Sequence, residues 1–261
     1  MKHCQELSYN ELFLLPNELW FYIIQLAYNS FIYDLIHIKR INHYFYGISK
    51  ELFSEIKEIT LHYTTTHFNE FSNIKSLCLG FNEKINYRQI RQLTNLTSLE
   101  LLYNPLINKG ISRLTNLTKL DLGWNNMITD KSISLLTNLD SLYLCYNSKI
   151  KNSINNLTKL STLHLGYNKT KDISNLTNLT ELHLGRNDFI DDDIIRKLIK
   201  LKYLYLGENE FISDQSISQL TNLITLDLND NQMITNESIK RLTNLKNLYL
   251  GDNNGLSFCW I

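Results

Sequence analysis

Leucine and isoleucine recur along residues 71–253 in one rhythm, L-x-x-L-x-x-L-x-L-x-x-N, as in LTNLTKLDLGWN from Leu114 to Asn125. Units start at Phe71, Leu93, Leu114, Leu136, Leu157, Leu176, Leu198, Leu220 and Leu242, spaced by 19 to 22 residues. Inside the L-x-L segment the period is two, so Leu120 and Leu122 share one face while Lys119 and Asp121 share the other, as in a half-buried strand. One unit is too short to bury its own leucines. Neighbours must therefore stack, and their strands pair into a parallel ladder. Each unit ends its strand at an asparagine: Asn82, Asn104, Asn125, Asn147, Asn168, Asn187, Asn209, Asn231 and Asn253. A tight bend there leaves backbone N–H and C=O groups pointing inward, and a short amide can satisfy both.

The segments between strands read differently. Ile128–Leu135, Ile212–Gln219 and Ile234–Arg241 carry Ser, Thr or Asp ahead of apolar residues at helical spacing, which predicts one or two helical turns on the outer side. The acidic run Asp191–Asp193 fits the start of such a helix, where negative charge is favourable. The unit at Leu157 has only 19 residues, which predicts an extended return there and a local change of curvature. Glu55–Tyr63 reads as a degenerate first strand, and Leu256, Phe258 and Trp260 as the closure of the last core layer. The repeat resembles the leucine-rich repeat family, which implies a solenoid with a parallel strand ladder and short convex helices over residues 56–261, an α/β fold.

In that architecture ligands meet the side chains that point out of the ladder. Immediately before the asparagines stand Phe81, Tyr103, Trp124, Tyr146 and Tyr167, then Arg186, Glu208, Asp230 and Asp252. With rungs about 4.8 Å apart, the five aromatics form a strip on the order of 20 Å long. Between the strand leucines stand Cys78, Glu100, Asp121, Tyr143, His164, His183, Tyr205, Asp227 and Tyr249. Tyr143, Tyr146, His164, Tyr167, His183, Arg186 and Tyr205 are expected to converge, with Trp124 beside them, on one concave patch that binds a target protein, since aromatics and arginine anchor protein interfaces. Phe81 and Tyr103 can be explained by shielding of the turn alone. His164 and His183 are near enough to share a metal, but no third ligand is apparent unless Cys145 reaches, so no metal or cofactor is assigned. The glycine column, Gly80, Gly123, Gly166, Gly185, Gly207 and Gly251, lies where a small residue suits the step from strand to turn. It is not a phosphate loop. No nucleophile–base or paired-carboxylate set stands out from the repeat, so no enzyme activity is expected.

Residues 1–55 have helical periodicity. Pro16 suits the first helical position because its missing N–H would have no partner there, and three apolar sets follow. They are Leu19, Ile23 and Ala27 with Trp20 and Ile24; Phe31, Ile32, Leu35 and Ile36; and Ile41, Tyr44, Phe45 and Ile48. This region resembles the F-box. Leu15, Pro16, Asn17, Glu18 and Leu19 match its opening, Ile23, Ile24 and Leu26 its aliphatics, Asp34-Leu35 its centre, and Ile41, Asn42 and Phe45 its late stretch. Leu52-Phe53 stands where the family often ends with Leu-Trp. The AYNSF loop from Ala27 to Phe31 is a few residues long for that family, and Asn42 replaces a common Cys. The resemblance implies a three-helix module that binds a Skp1-like adaptor through Leu15, Pro16, Glu18, Leu19, Ile23, Ile24, Leu35, Ile41 and Phe45. The whole chain would then be a substrate receptor of a Skp1-cullin-F-box ubiquitin ligase. The competing reading is an interaction scaffold or inhibitor in which these helices only cap the solenoid.

Composition changes this picture little. Lys plus Arg and Asp plus Glu are both 26, giving a formal charge of zero and no basic field for nucleic acid. No run of about 18 apolar residues is present to cross a membrane. The segment Leu14–Ile24 lacks a secretory signal's layout. Cys4, Cys78, Cys145 and Cys259 lack metal-binding spacing and suit a reducing compartment, so an intracellular, cytoplasmic monomer is expected. Sequons such as Asn95-Leu-Thr97 follow from the repeated LTNLT phrase. Ala occurs once and Val never, with Asn and Ile abundant. This composition is similar to that of F-box and repeat proteins encoded by large DNA viruses of amoebae.

Overall fold

The computed structural model describes residues 73–251 and the backbone of 58–60. The F-box-like segment 13–53 and the closing residues Leu256, Phe258 and Trp260 lie outside the described residues. Ten three-residue strands form one parallel sheet in strict chain order: β1 Glu58–Thr60, β2 Ser76–Cys78, β3 Ser98–Glu100, β4 Lys119–Asp121, β5 Ser141–Tyr143, β6 Thr162–His164, β7 Glu181–His183, β8 Tyr203–Tyr205, β9 Thr225–Asp227 and β10 Asn247–Tyr249. Glu55–Tyr63 was expected to hold a first strand, and β1 occupies its middle, paired with β2. From β2 onward the central leucines face one another, Leu120 against Leu99 and Leu142, for example. A slip by one residue would turn every leucine outward, so burial fixes the register.

The core is a stack of aliphatic layers. In the unit from Leu114, the side chains of Leu114, Leu117, Leu120, Leu122, Ile128 and Ile133 are all fully buried, and the corresponding residues of the other complete units behave alike. Return segments form single turns of α-helix: α1 Tyr87–Ile90, α2 Asp130–Ile133, α3 Asp192–Ile195, α4 Asp214–Ile217 and α5 Asn236–Ile239. Ile111–Arg113 and Ser153–Asn156 are 3-10 turns instead. In the short unit no helix separates β6 from β7, as its length predicts. There Thr170 is fully buried and its hydroxyl donates to the Ile150 carbonyl at 3.4 Å.

The asparagine column does more than close its own bend. Asn104 Oδ1 accepts from the backbone of Leu106 and Ile107, both at 3.1 Å. Its Nδ2 donates to the carbonyls of Leu79 and Asn82 in the preceding unit, at 3.1 and 2.8 Å. Asn125 repeats this with Leu101 and Asn104 on one side and Met127 and Ile128 on the other. Each amide thus stitches two units. The asparagine of the LTNLT phrase does a similar job on the surface, Asn116 Nδ2 donating to the Thr94 carbonyl at 2.9 Å.

A third column, on the convex side, is carried by the first residue of the return helices. Asp214 accepts from the Thr235 amide, the Thr235 hydroxyl and the Ser238 hydroxyl of the next unit. Asp192 holds Ser213 and Ser216 in the same way, and Asp130 holds the amides of Lys151, Asn152 and Ser153 and the Ser153 hydroxyl. Burial alone would raise the carboxyl pKa at Asp130 and Asp214, but these hydrogen bonds outweigh it and hold both below the usual value. The acidic run divides its work: Asp191 caps α3, accepting from the Ile194 amide at 3.1 Å, while Asp192 clamps the next helix.

Candidate functional site

The residues before the asparagines do not stand on strands. Phe81, Tyr103, Trp124, Tyr146, Tyr167, Arg186, Glu208 and Asp230 all have left-handed backbone, with φ between 51° and 59°. Each is the third residue of a four-residue turn, such as Leu79-Gly80-Phe81-Asn82, closed by the Asn82 amide donating to the Leu79 carbonyl at 3.0 Å. Positive φ at that position alone is the signature of a type II turn, which normally puts Gly or Asn there. Here the glycine comes one place too early. Its reason is room, since a Cβ on Gly185 would lie 3.2 Å from the Gly207 carbonyl oxygen, and one on Gly123 only 2.9 Å from Leu102 Cδ1.

The left-handed turn aims the aromatics into a row. Phe81 stacks on Tyr103 with centroids 4.9 Å apart, Tyr103 on Trp124 at 5.1 Å, Trp124 on Tyr146 at 3.8 Å and Tyr146 on Tyr167 at 4.2 Å, all nearly parallel. The Arg186 guanidinium caps the row 5.3 Å from the Tyr167 centroid and pairs with Glu208. Stacked pairs contribute about 0.5–1.5 kcal/mol each, which offsets the strain of holding a bulky residue left-handed, on the order of 1–2 kcal/mol. Phe81, Tyr103, Trp124 and Tyr167 remain 39–52% exposed.

A second row lies on the strands. Tyr143 meets His164 at 4.4 Å, His164 stacks on His183 at 3.6 Å, and His183 stacks on Tyr205 at 3.8 Å. The seven residues expected to form one patch are therefore organised as two rows. Among the described residues the ring stacking runs along each row, with Tyr146, Tyr167 and Arg186 in the turns and Tyr143, His164, His183 and Tyr205 on the sheet.

The sheet row has one further member that the sequence reading missed. Glu181 sits two residues before His183 on the same face of β7, and its Oε1 lies 2.8 Å from His183 Nε2 and 3.4 Å from His164 Nε2. His164 Nε2 is buried and has no hydrogen-bond partner. An unpaired buried nitrogen costs about 1–3 kcal/mol. Burial, reinforced by His183, pushes the His164 imidazole down to about 4, and burial also lowers His183 despite the nearby Glu181 carboxylate. Both rings are neutral at pH 7. Cys145 is not the third ligand for the pair; it stands in the glycine column, its thiol raised by burial. Glu181 could have been found by reading the strand position two places before the histidines alongside their own column.

Residues 177–233 match one leucine-rich repeat model and residues 113–136 another. The ladder is a leucine-rich repeat solenoid. Among solved structures, this solenoid is similar to a leucine-rich repeat protein from Leptospira interrogans, with 31% identity and a TM-score of 0.55 over 72% of this chain and 58% of that one. It is also similar to a chain of the mouse RP105/MD-1 complex, with 24% identity and a TM-score of 0.63 over 80% and 40% of the two chains. A chain of the TLR13-ssRNA13 complex matches at 22% identity and a TM-score of 0.58, over 79% and 37%. The solenoid thus spans little more than half, or less, of these three chains. No curated protein sequence matches the chain. Among the described residues no helix is long and apolar enough to cross a membrane.

Proposed function

We propose that the solenoid recognises a protein partner, gripping it between the two aromatic rows. The observation that carries this reading is the exposed turn row ending in Arg186, parallel in chain order to the Tyr143–Tyr205 row. Large flat side chains bind with little loss of rotamer freedom, and together with arginine they dominate interface energies. The mouse structure is a complex with MD-1 and the TLR13 structure a complex with RNA; at their identities they support the fold alone. The zero net charge favours a protein over RNA here. Leucine-rich repeat solenoids of this type serve as interaction folds, so no catalytic role is proposed.

The finer reading is that residues 13–53 dock on a Skp1-like adaptor through Leu15, Pro16 and their neighbours, presenting the partner for ubiquitin transfer in a cytoplasm, that of a host if the chain is viral. Its support is the F-box-like pattern joined to a repeat solenoid. Quantitative pulldown with the full chain tests both halves. Trp124→Ala and Tyr146→Ala are expected to deplete the target at least tenfold while leaving the adaptor bound, and Leu15→Ala with Pro16→Ala to do the reverse. Targets unchanged in both aromatic variants would overturn the surface assignment, and a wild type that never binds Skp1 would overturn the adaptor.

A further inference from the structure

We propose that His164, Glu181 and His183 form a binding site for a single divalent transition-metal ion, Zn²⁺ by ligand chemistry, with one coordination position open to the concave face. The parallel pairing of β6 and β7 sets His164 directly opposite His183. The two-residue strand period returns Glu181 to the same face as His183. One atom from each of the three residues lies within 4.8 Å of the other two. In a tetrahedral site with metal–ligand bonds of 2.0–2.2 Å, ligand atoms stand about 3.4 Å apart. Of the observed distances from Glu181 Oε1, the 3.4 Å to His164 Nε2 matches that spacing and the 2.8 Å to His183 Nε2 falls short of it by less than an ångström.

Hydrogen bonding without an ion leaves this cluster incomplete. Glu181 Oε1 makes its hydrogen bond with His183 Nε2, and the buried His164 Nε2 has none. An ion among the three atoms would engage every one of them, after the two stacked rings tilt toward each other from their present 21°. Two imidazoles and one carboxylate suit Zn²⁺ and its neighbours, whereas Ca²⁺ and Mg²⁺ require oxygen ligands. Three protein ligands leave the fourth position to water or to a side chain offered by a bound molecule. Tyr143 and Tyr205 close the site along the row, at 4.4 and 3.8 Å from the flanking histidine rings.

The test uses the full chain, stripped with a chelator and equilibrated with Zn²⁺, with bound metal counted after desalting. Other histidines and cysteines in the chain can contribute background, so the readout is a difference. Wild type is expected to hold one equivalent more than His164→Phe or His183→Phe, each of which keeps a flat ring in the stack. Glu181→Gln, which leaves the rings untouched, is expected to weaken binding at least tenfold. The melting temperature of wild type should rise with Zn²⁺ and fall back with chelator, a response the variants lack. Equal zinc content in wild type and all three variants, or no zinc retained by wild type, would overturn the site.

Discussion

At the scale of single residues, adjacent positions in each unit do opposite work. Asn125 holds four backbone groups in two units, three of them through buried hydrogen bonds, and its side chain is almost entirely inaccessible. Asn125→Ala is expected to lower the unfolding free energy by about 1–3 kcal/mol or more, because those groups lose their partners where water cannot replace them. Its neighbour Trp124 should behave otherwise. Trp124→Gly removes two stacking contacts but also releases a left-handed conformation that glycine adopts freely. Two stacks at about 0.5–1.5 kcal/mol each oppose about 1–2 kcal/mol of relieved strain, so denaturant melts should place this variant within about 1 kcal/mol of wild type. A larger loss at Trp124 than at Asn125 would contradict the turn geometry. The asparagine column was legible because its spacing never varies. The left-handed turn was not, because the sequence places glycine beside the strained position and not on it, and propensity assigns the strain to the glycine.

At the scale of elements, the return helices are single turns, far too short to be stable by themselves, and hold their place by burying Ile133, Ile195, Ile217 and Ile239 and by the aspartate clamps. The folded pKa of Asp214 is depressed, so the clamp's contribution is full above the carboxylate's unfolded value, near 4, and is lost as pH falls through the lower folded value. Asp214→Asn is therefore expected to destabilise the protein by about 1 kcal/mol at pH 7, allowing for solvent screening. It should also flatten the acid side of the stability profile, below the carboxylate's unfolded value. Guanidinium titrations at pH 7 and pH 3 check this, and a difference between variant and wild type that grows toward acid would refute it. Helical spacing made α2, α4 and α5 legible in advance. The clamp escaped notice because its partners are 21 to 24 residues away, and only stacking brings them together.

At the scale of the whole molecule, the described ladder begins at β1 and runs unbroken to β10, with each strand touching only its neighbours. In such a quasi-one-dimensional array the stability of a segment depends on its own layers and on the interfaces between them. A chain lacking residues 1–53 keeps β1 and is expected to melt in a single cooperative transition by circular dichroism. Loss of that transition would favour the reading in which the first helices serve as a cap. The solenoid itself was legible because leucine periodicity and burial agree at every rung. The candidate metal group was half legible. A column of histidines stands out in the sequence, but a glutamate from the adjoining column joins them only once the side chains are placed.

The turn that carries the outer row has a last consequence. The same left-handed position accepts Phe, Tyr, Trp, Arg, Glu and Asp, and the asparagine beside it maintains the bend in every case. Recognition chemistry on this edge is thereby uncoupled from folding. The row is a line of interchangeable characters on a fixed frame: Arg186→Tyr would lengthen its aromatic part by one rung, Trp124→Asp would break it, and neither change would alter the backbone on which it is written.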